Sequence, residues 1–181
     1  LNKATLWKKG ASSEDGPPSP DEADQLEDQR VAWRPEGGGA LLNDPIQRLK
    51  RGGWSLIIVK EDTTVFASRE EGMKPLIEAI HQVGVPTLEN AIVIDKIVGK
   101  AAALLISYIK AKEVHCIVLS TTGRAVLDTH QIKHYAERVT PEIMNRRGTG
   151  LCPFEQAVKD VDDPQEGYGR VRTTLKTLGI L

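Results

Sequence analysis

The chain has 181 residues, 40% of them hydrophobic and 27% charged, and a formal net charge of −1. That size allows one domain with an appendage, and the near-neutral balance gives no chain-wide bias toward nucleic acid. Two cysteines, Cys116 and Cys152, exclude a disulfide framework, and no apolar run approaches the roughly 18 residues needed to span a membrane.

Residues 1–42 read as a disordered tail. Between Gly10 and Gln29 stand seven acids (Glu14, Asp15, Asp21, Glu22, Asp24, Glu27 and Asp28) and no base, together with Pro17, Pro18 and Pro20. Gly37-Gly38-Gly39 follows, and the apolar surface is too small to offset the entropy of ordering the chain. Trp7 and Trp33 are candidate docking points for a protein partner. Without the seven acids the rest of the chain carries +6, a balance suited to a small anionic ligand.

From residue 43 the pattern is that of an α/β domain. Asp44-Pro45-Ile46-Gln47 reads as N-cap, proline at the first helical position and glutamine at N3, opening a short helix that stops at Gly52-Gly53. Trp54–Lys60 is an apolar strand, and Thr64–Ala67 returns as its hairpin partner after Glu61-Asp62. Gly72–Val83 has helical spacing, with Leu76, Ile77, Ile80 and Val83 on one face, and Gly84 ends it. Ala91–Ile94 is a short strand. Val98–Ile109 is apolar almost all round and reads as a buried helix. Val114–Ser120, apolar on both faces, is the centre of a sheet covered on both sides. A short helix over Gly123–Thr129, a strand over Lys133–Ala136, and helices from Cys152 and Asp163 complete a three-layer α/β/α order.

Two segments carry a family resemblance. They are Ile94-Asp95-Lys96-Ile97-Val98-Gly99-Lys100-Ala101-Ala102-Ala103 and Asn145-Arg146-Arg147-Gly148-Thr149-Gly150-Leu151-Cys152-Pro153. With Val59-Lys60 and Gly72-Met73-Lys74-Pro75, they resemble a family of bacterial and archaeal proteins, domain of unknown function 1893, over roughly Trp54 to Val161. The resemblance implies a cytidine-deaminase-like fold and no established activity. Zinc deaminases place H-x-E at one helix start and P-C-x-x-C at another. Here the first helix opens Gly99-Lys100-Ala101 and the second Cys152-Pro153-Phe154-Glu155, with a glutamate at the second cysteine's spacing. One thiolate and one carboxylate fall short of a tetrahedral site, so neither a metal nor another cofactor is expected.

The candidate site follows from the same segments. Cys152 stands at a helix N-terminus, where the helix dipole favours a thiolate, and Arg146 and Arg147 are close in sequence; it is the candidate nucleophile. Glu155 fits the N3 position of a capping box and is also a candidate ligand contact. The loop Arg146-Arg147-Gly148-Thr149-Gly150 enters that helix start, and glycine-rich entries of this kind turn backbone N–H groups toward anions. Asp95, Lys96, Gly99 and Lys100 bracket the other helix start, with Asp95 a candidate acid–base group. A P-loop is excluded, because Ile94 replaces its first glycine and Ala101 its serine or threonine. The expected function is a small-molecule binding domain or enzyme, with an anionic, nucleotide-like ligand between the two helix starts. The alternative is a non-catalytic regulatory or protein-interaction module. The two cysteines outside any CxxC pair, and the lack of a charged-then-apolar leader, point to a reducing cytoplasm.

Overall fold

The computed structural model describes residues 44–181. The expected tail, with Trp7 and Trp33, lies outside the described residues. Helix α1 (Pro45–Arg51) opens as its sequence dictates: the Asp44 side chain accepts a hydrogen bond from Ile46 N at 2.8 Å, with proline in the first turn. Strands β1 (Leu56–Lys60) and β2 (Thr63–Ser68) form the hairpin. Their two-residue turn puts Glu61 and Asp62 at φ 48° and 64°, a twist that matches that of the strands.

Helix α2 (Lys74–Val83) and a further single-turn helix α3 (Val85–Leu88) lead to β3 (Ile92–Val98). Then α4 (Lys100–Tyr108), β4 (Glu113–Ser120), α5 (Thr121–Thr129) and β5 (Lys133–Thr140) alternate, followed by α6 (Pro153–Ala157) and α7 (Pro164–Thr177). The five strands make one mixed sheet in the order β2-β1-β3-β4-β5. β1 is antiparallel to both its neighbours, whereas β3, β4 and β5 run parallel with α4 and α5 as crossovers. The molecule is of the α/β class.

Leu56 to Val59 of β1 are all buried, since helices cover both sides of that strand. The larger core lies on one face, where α2, α4 and α7 pack and all of Ala101–Ser107 is buried. A smaller cluster sets Ile46 and Leu49 of α1 on Ile57, Val59 and Ile94. Two glycines permit close helix packing. A Cβ at Gly167 of α7 would stand 2.8 Å from Leu104 Cβ on α4, and one at Gly123 of α5 would stand 2.9 Å from the Gly99 carbonyl.

Most boundaries move by one or two residues from the sequence reading, with β1 starting at Leu56, α2 at Lys74 and α5 at Thr121. The differences that matter for the site and the sheet are the following. β3 continues past Ile94 to Val98, because Ile97 and Val98 still pair with Val118 and Leu119 of β4. Asp95 and Lys96 therefore stand in a strand, and α4 begins at Lys100 rather than Val98. β5 runs on to Thr140 through the polar stretch Glu137-Arg138 because β4 supplies pairing partners throughout. Helix α3 follows Gly84 directly and has no apolar periodicity of its own to announce it.

Candidate functional site at the ends of the parallel strands

The C-terminal ends of β3, β4 and β5 deliver Gly99-Lys100, Thr121-Thr122 and the loop holding Glu142 to one end of the sheet. Open α/β sheets place their ligand sites at such strand ends. An open groove of about 460 Å³ lies there, walled by Lys100, Thr122, Glu142, Leu151, Glu155 and Lys159, and extends along α5 to His130.

Glu155 is the organising residue of this groove. It is buried, and its two oxygens accept hydrogen bonds from Lys100 N and Ala101 N, each at 2.9 Å. A carboxylate on α6 thus caps α4, 55 residues earlier in the chain, where the helix dipole favours negative charge. Gly99 makes this contact possible, since a Cβ there would run into the Glu155 carboxylate. Burial raises the Glu155 pKa and Glu142 adds to the rise, while the two amides and the Lys100 charge oppose it.

The expected capping box on α6 does not form. Cys152 N donates to Ile143 O at 2.9 Å, and Glu155 reaches across to α4 instead of back to its own helix. Cys152 is the N-cap of α6 but makes no side-chain cap bond; it is partly buried against the main core. Helix α6 has only five residues, too short for a large terminal dipole. Lys100 Nζ donates to Lys159 O at 2.9 Å and to Asp162 Oδ1 at 3.1 Å. The two helix starts are therefore neighbours, joined by side chains that already have partners.

The glycine loop closes on itself. Asn145 Oδ1 accepts from Arg147 N and Thr149 N, both at 3.1 Å, and Asn145 O accepts from Gly148 N at 2.9 Å. Gly148 takes φ 67°, and Asn145 N donates back to Gly150 O at 2.8 Å. The amides that the sequence offered to an anion are turned onto Asn145. Arg146 pairs with Glu71 at 3.0 Å on the surface, and Arg147 is exposed. Of the residues singled out in the sequence, Lys100 and Glu155 line the groove, with Gly99 immediately beneath Glu155. Cys152, Asp95, Lys96, Arg146, Arg147, Gly148, Thr149 and Gly150 are not in its wall.

Asp95 belongs to a different environment. It pairs in register with Cys116 of β4, and its Oδ1 accepts from Ile97 N at 3.2 Å. Burial pushes its carboxyl up to about 7, against the pull of the Ile97 and Lys96 amides and the Lys96 charge. The Cys116 thiol is pushed up to about 12, by burial first and by Asp95 second. Among the described residues, no group of three His, Cys, Asp or Glu side chains is placed to hold a metal ion. No described helix is long and apolar enough to cross a membrane.

Sequence reasoning missed Glu142, Lys159 and Thr122. None sits in a motif, and each reaches the groove only because three strand ends and the α6–α7 connection converge.

The family model described as domain of unknown function (DUF1893) matches residues 45–175. The chain belongs to this family. The crystal structure of a DUF1893 family protein (TM1506) from Thermotoga maritima superposes with a TM-score of 0.63 at 26% identity, covering 78% of this chain and 92% of that one. No curated protein matches the chain. Membership of the family assigns no activity, so the function of the DUF1893 domain is uncharacterised.

Proposed function

We propose that this DUF1893 family domain binds a small polar molecule, anionic at one end, in the groove at the C-terminal ends of β3, β4 and β5. The observation that carries this reading is the groove itself, with Glu155 on its floor, Lys100 beside it and Lys159 in its wall. Lys100 is held by Asp162, whereas the Lys159 side chain is 69% exposed and meets the Asp160 carboxylate only at 3.9 Å. Lys159 is thus the cation available to a ligand, and Glu142 and Thr122 provide acceptors and a donor for its other end. Nucleotides and sugar phosphates have this mixed character.

The order β2-β1-β3-β4-β5 with β1 reversed supports the cytidine-deaminase-like arrangement implied by the family resemblance. Within that arrangement Glu155 stands at a zinc ligand's spacing and spends its carboxylate on the α4 amides. This favours a regulatory binding module over a deaminase. Free Cys116 and Cys152 suit a reducing, cytoplasmic setting.

Thermal shift at matched ionic strength tests the reading, with nucleotides, sugar phosphates and simple carboxylates as probes. A ligand at a hundredfold excess over its dissociation constant adds about 2.7 kcal/mol to stability. Lys159→Ala should lose the response, and Arg147→Ala, outside the groove, should keep it. Equal responses from the two variants, or no response from any probe, would overturn the proposal.

A further inference from the structure

Strand β5 is the sheet's last strand, and among the described residues it has a neighbour on one side only, β4. Its eight residues, Lys133-His134-Tyr135-Ala136-Glu137-Arg138-Val139-Thr140, form a long edge. Lys133 N donates toward β4, to Lys112 O at 3.3 Å. By strand alternation, the N–H and C=O of His134, Ala136 and Arg138 point away from the sheet. Such a row is a template for another strand unless something blocks it. Tyr135 and Val139 are 55% and 45% exposed along it, and no proline interrupts it.

We propose that β5 pairs antiparallel with β5 of a second copy of this chain, about a two-fold axis at Tyr135, joining the two five-stranded sheets into one. This does not depend on what the groove binds. The register follows from the strand's own sequence. Outward amides can meet outward amides only if the axis passes through a residue position. An axis at Tyr135 sets His134 opposite the second copy's Ala136 as the hydrogen-bonded pair, and Ala136 opposite His134. It sets Lys133 opposite the second copy's Glu137, and by symmetry Glu137 opposite Lys133. One self-complementary patch thus makes two opposite-charge pairs, as an isologous interface requires. An axis at Glu137 or Arg138 instead sets identical charges face to face. Lys50 of α1 already holds Glu137 at 2.7 Å, with side chains 41% and 39% exposed, so the carboxylate remains open to a second cation.

The aromatic groups agree with the same axis. Tyr135 stacks on His115 with ring centroids 4.9 Å apart, and His115 bonds Glu113 at 2.6 Å. Pairing at Tyr135 brings the two tyrosines opposite each other at the closest cross-strand spacing. The exposed ring of each copy then becomes the inner member of a His115–Tyr135–Tyr135–His115 row.

Charge reversal tests this directly, by sedimentation of the full chain over a concentration series. The wild type should be a dimer. Lys133→Glu and Glu137→Lys should each weaken association by about tenfold or more, since each turns both cross-strand pairs repulsive. An equimolar mixture of the two variants should recover wild-type affinity. In the mixed dimer, position 133 of either copy again faces an opposite charge at position 137 of the other. Circular dichroism of each variant checks that the monomer keeps its fold. A wild type that stays monomeric up to its solubility limit, single variants that dimerise as tightly as wild type, or a mixture no tighter than its components would each overturn the proposal.

Discussion

Gly99 and Glu155 act as one unit, and their energetics are readable in bonds. Two amides at the start of α4 have the Glu155 carboxylate as acceptor, and a helix's first N–H groups have no partner within the helix. Removing the acceptor leaves them unsatisfied in a half-buried place, so Glu155→Ala should cost about 1–3 kcal/mol in urea unfolding. Gly99→Ala should also destabilise, by driving a methyl into the carboxylate. In the Glu155→Ala background that clash is gone, and Gly99→Ala should cost much less there than in the wild type. Additive losses would show that the two residues do not interact.

Asp95 is the second informative residue, and its sign differs from the usual carboxylate. Its pKa in the folded chain is about 7, against a reference of 3.8. Between those values the native state holds a proton that the unfolded chain has released, so stability falls as pH rises from about 4 to about 7. The melting temperature should therefore drop across that window in the wild type. Asp95→Asn should flatten the drop, and a variant with the wild-type slope would move the effect to another group. The sequence marked Asp95 as unusual but placed it at a helix start. A carboxylate followed by lysine looks like a cap, and only pairing with Cys116 of β4 shows that the strand continues through it.

At the scale of elements, the legible signals were those with a local cause. Asp44 and Asp163 were recognisable as N-caps, and each side chain accepts from a backbone N–H of the first turn, at 2.8 and 2.7 Å. Cys152 repeats the same spacing without the bond. There the pattern was correct about where a helix starts and misleading about what Glu155 does, because a trans-cap is a tertiary fact. Helix α7 gives the sharpest comparison between local propensity and packing. Gly167 and Gly169 both lie in it, and alanine is the better helix former by about 0.5–1 kcal/mol. At Gly169 nothing stands within 4 Å of an added Cβ, so Gly169→Ala should stabilise by about that amount. At Gly167 the added methyl meets Leu104 of α4, and Gly167→Ala should lose about 1–3 kcal/mol net to overpacking. Urea midpoints of the two variants should move in opposite directions. A stabilised Gly167→Ala would mean that α7 can shift on α4 at little cost.

For the whole molecule, class and strand sequence were readable because alternation and apolar runs are properties of single segments. The groove was not, since Glu142, Lys159 and Thr122 carry no shared motif and meet only after the strands are ordered. The glycine loop shows the opposite limit. Its composition suits an anion nest, but Asn145 takes up the Arg147, Gly148 and Thr149 amides, which composition alone does not reveal. The burial of β1 on both faces has a further consequence, for aggregation. Trp54 to Val59 is an uncharged, β-branched-rich stretch with Arg51 and Lys60 as its nearest charges on either side. In the folded chain β2 and β3 occupy both its edges and helices cover both its faces. Once either neighbour peels away, the stretch has the length and composition of segments that stack into intermolecular β-structure. The strand that joins the hairpin to the parallel half of the sheet is thus a hazardous one to release, and recovery from heating depends on how crowded the unfolded chains are.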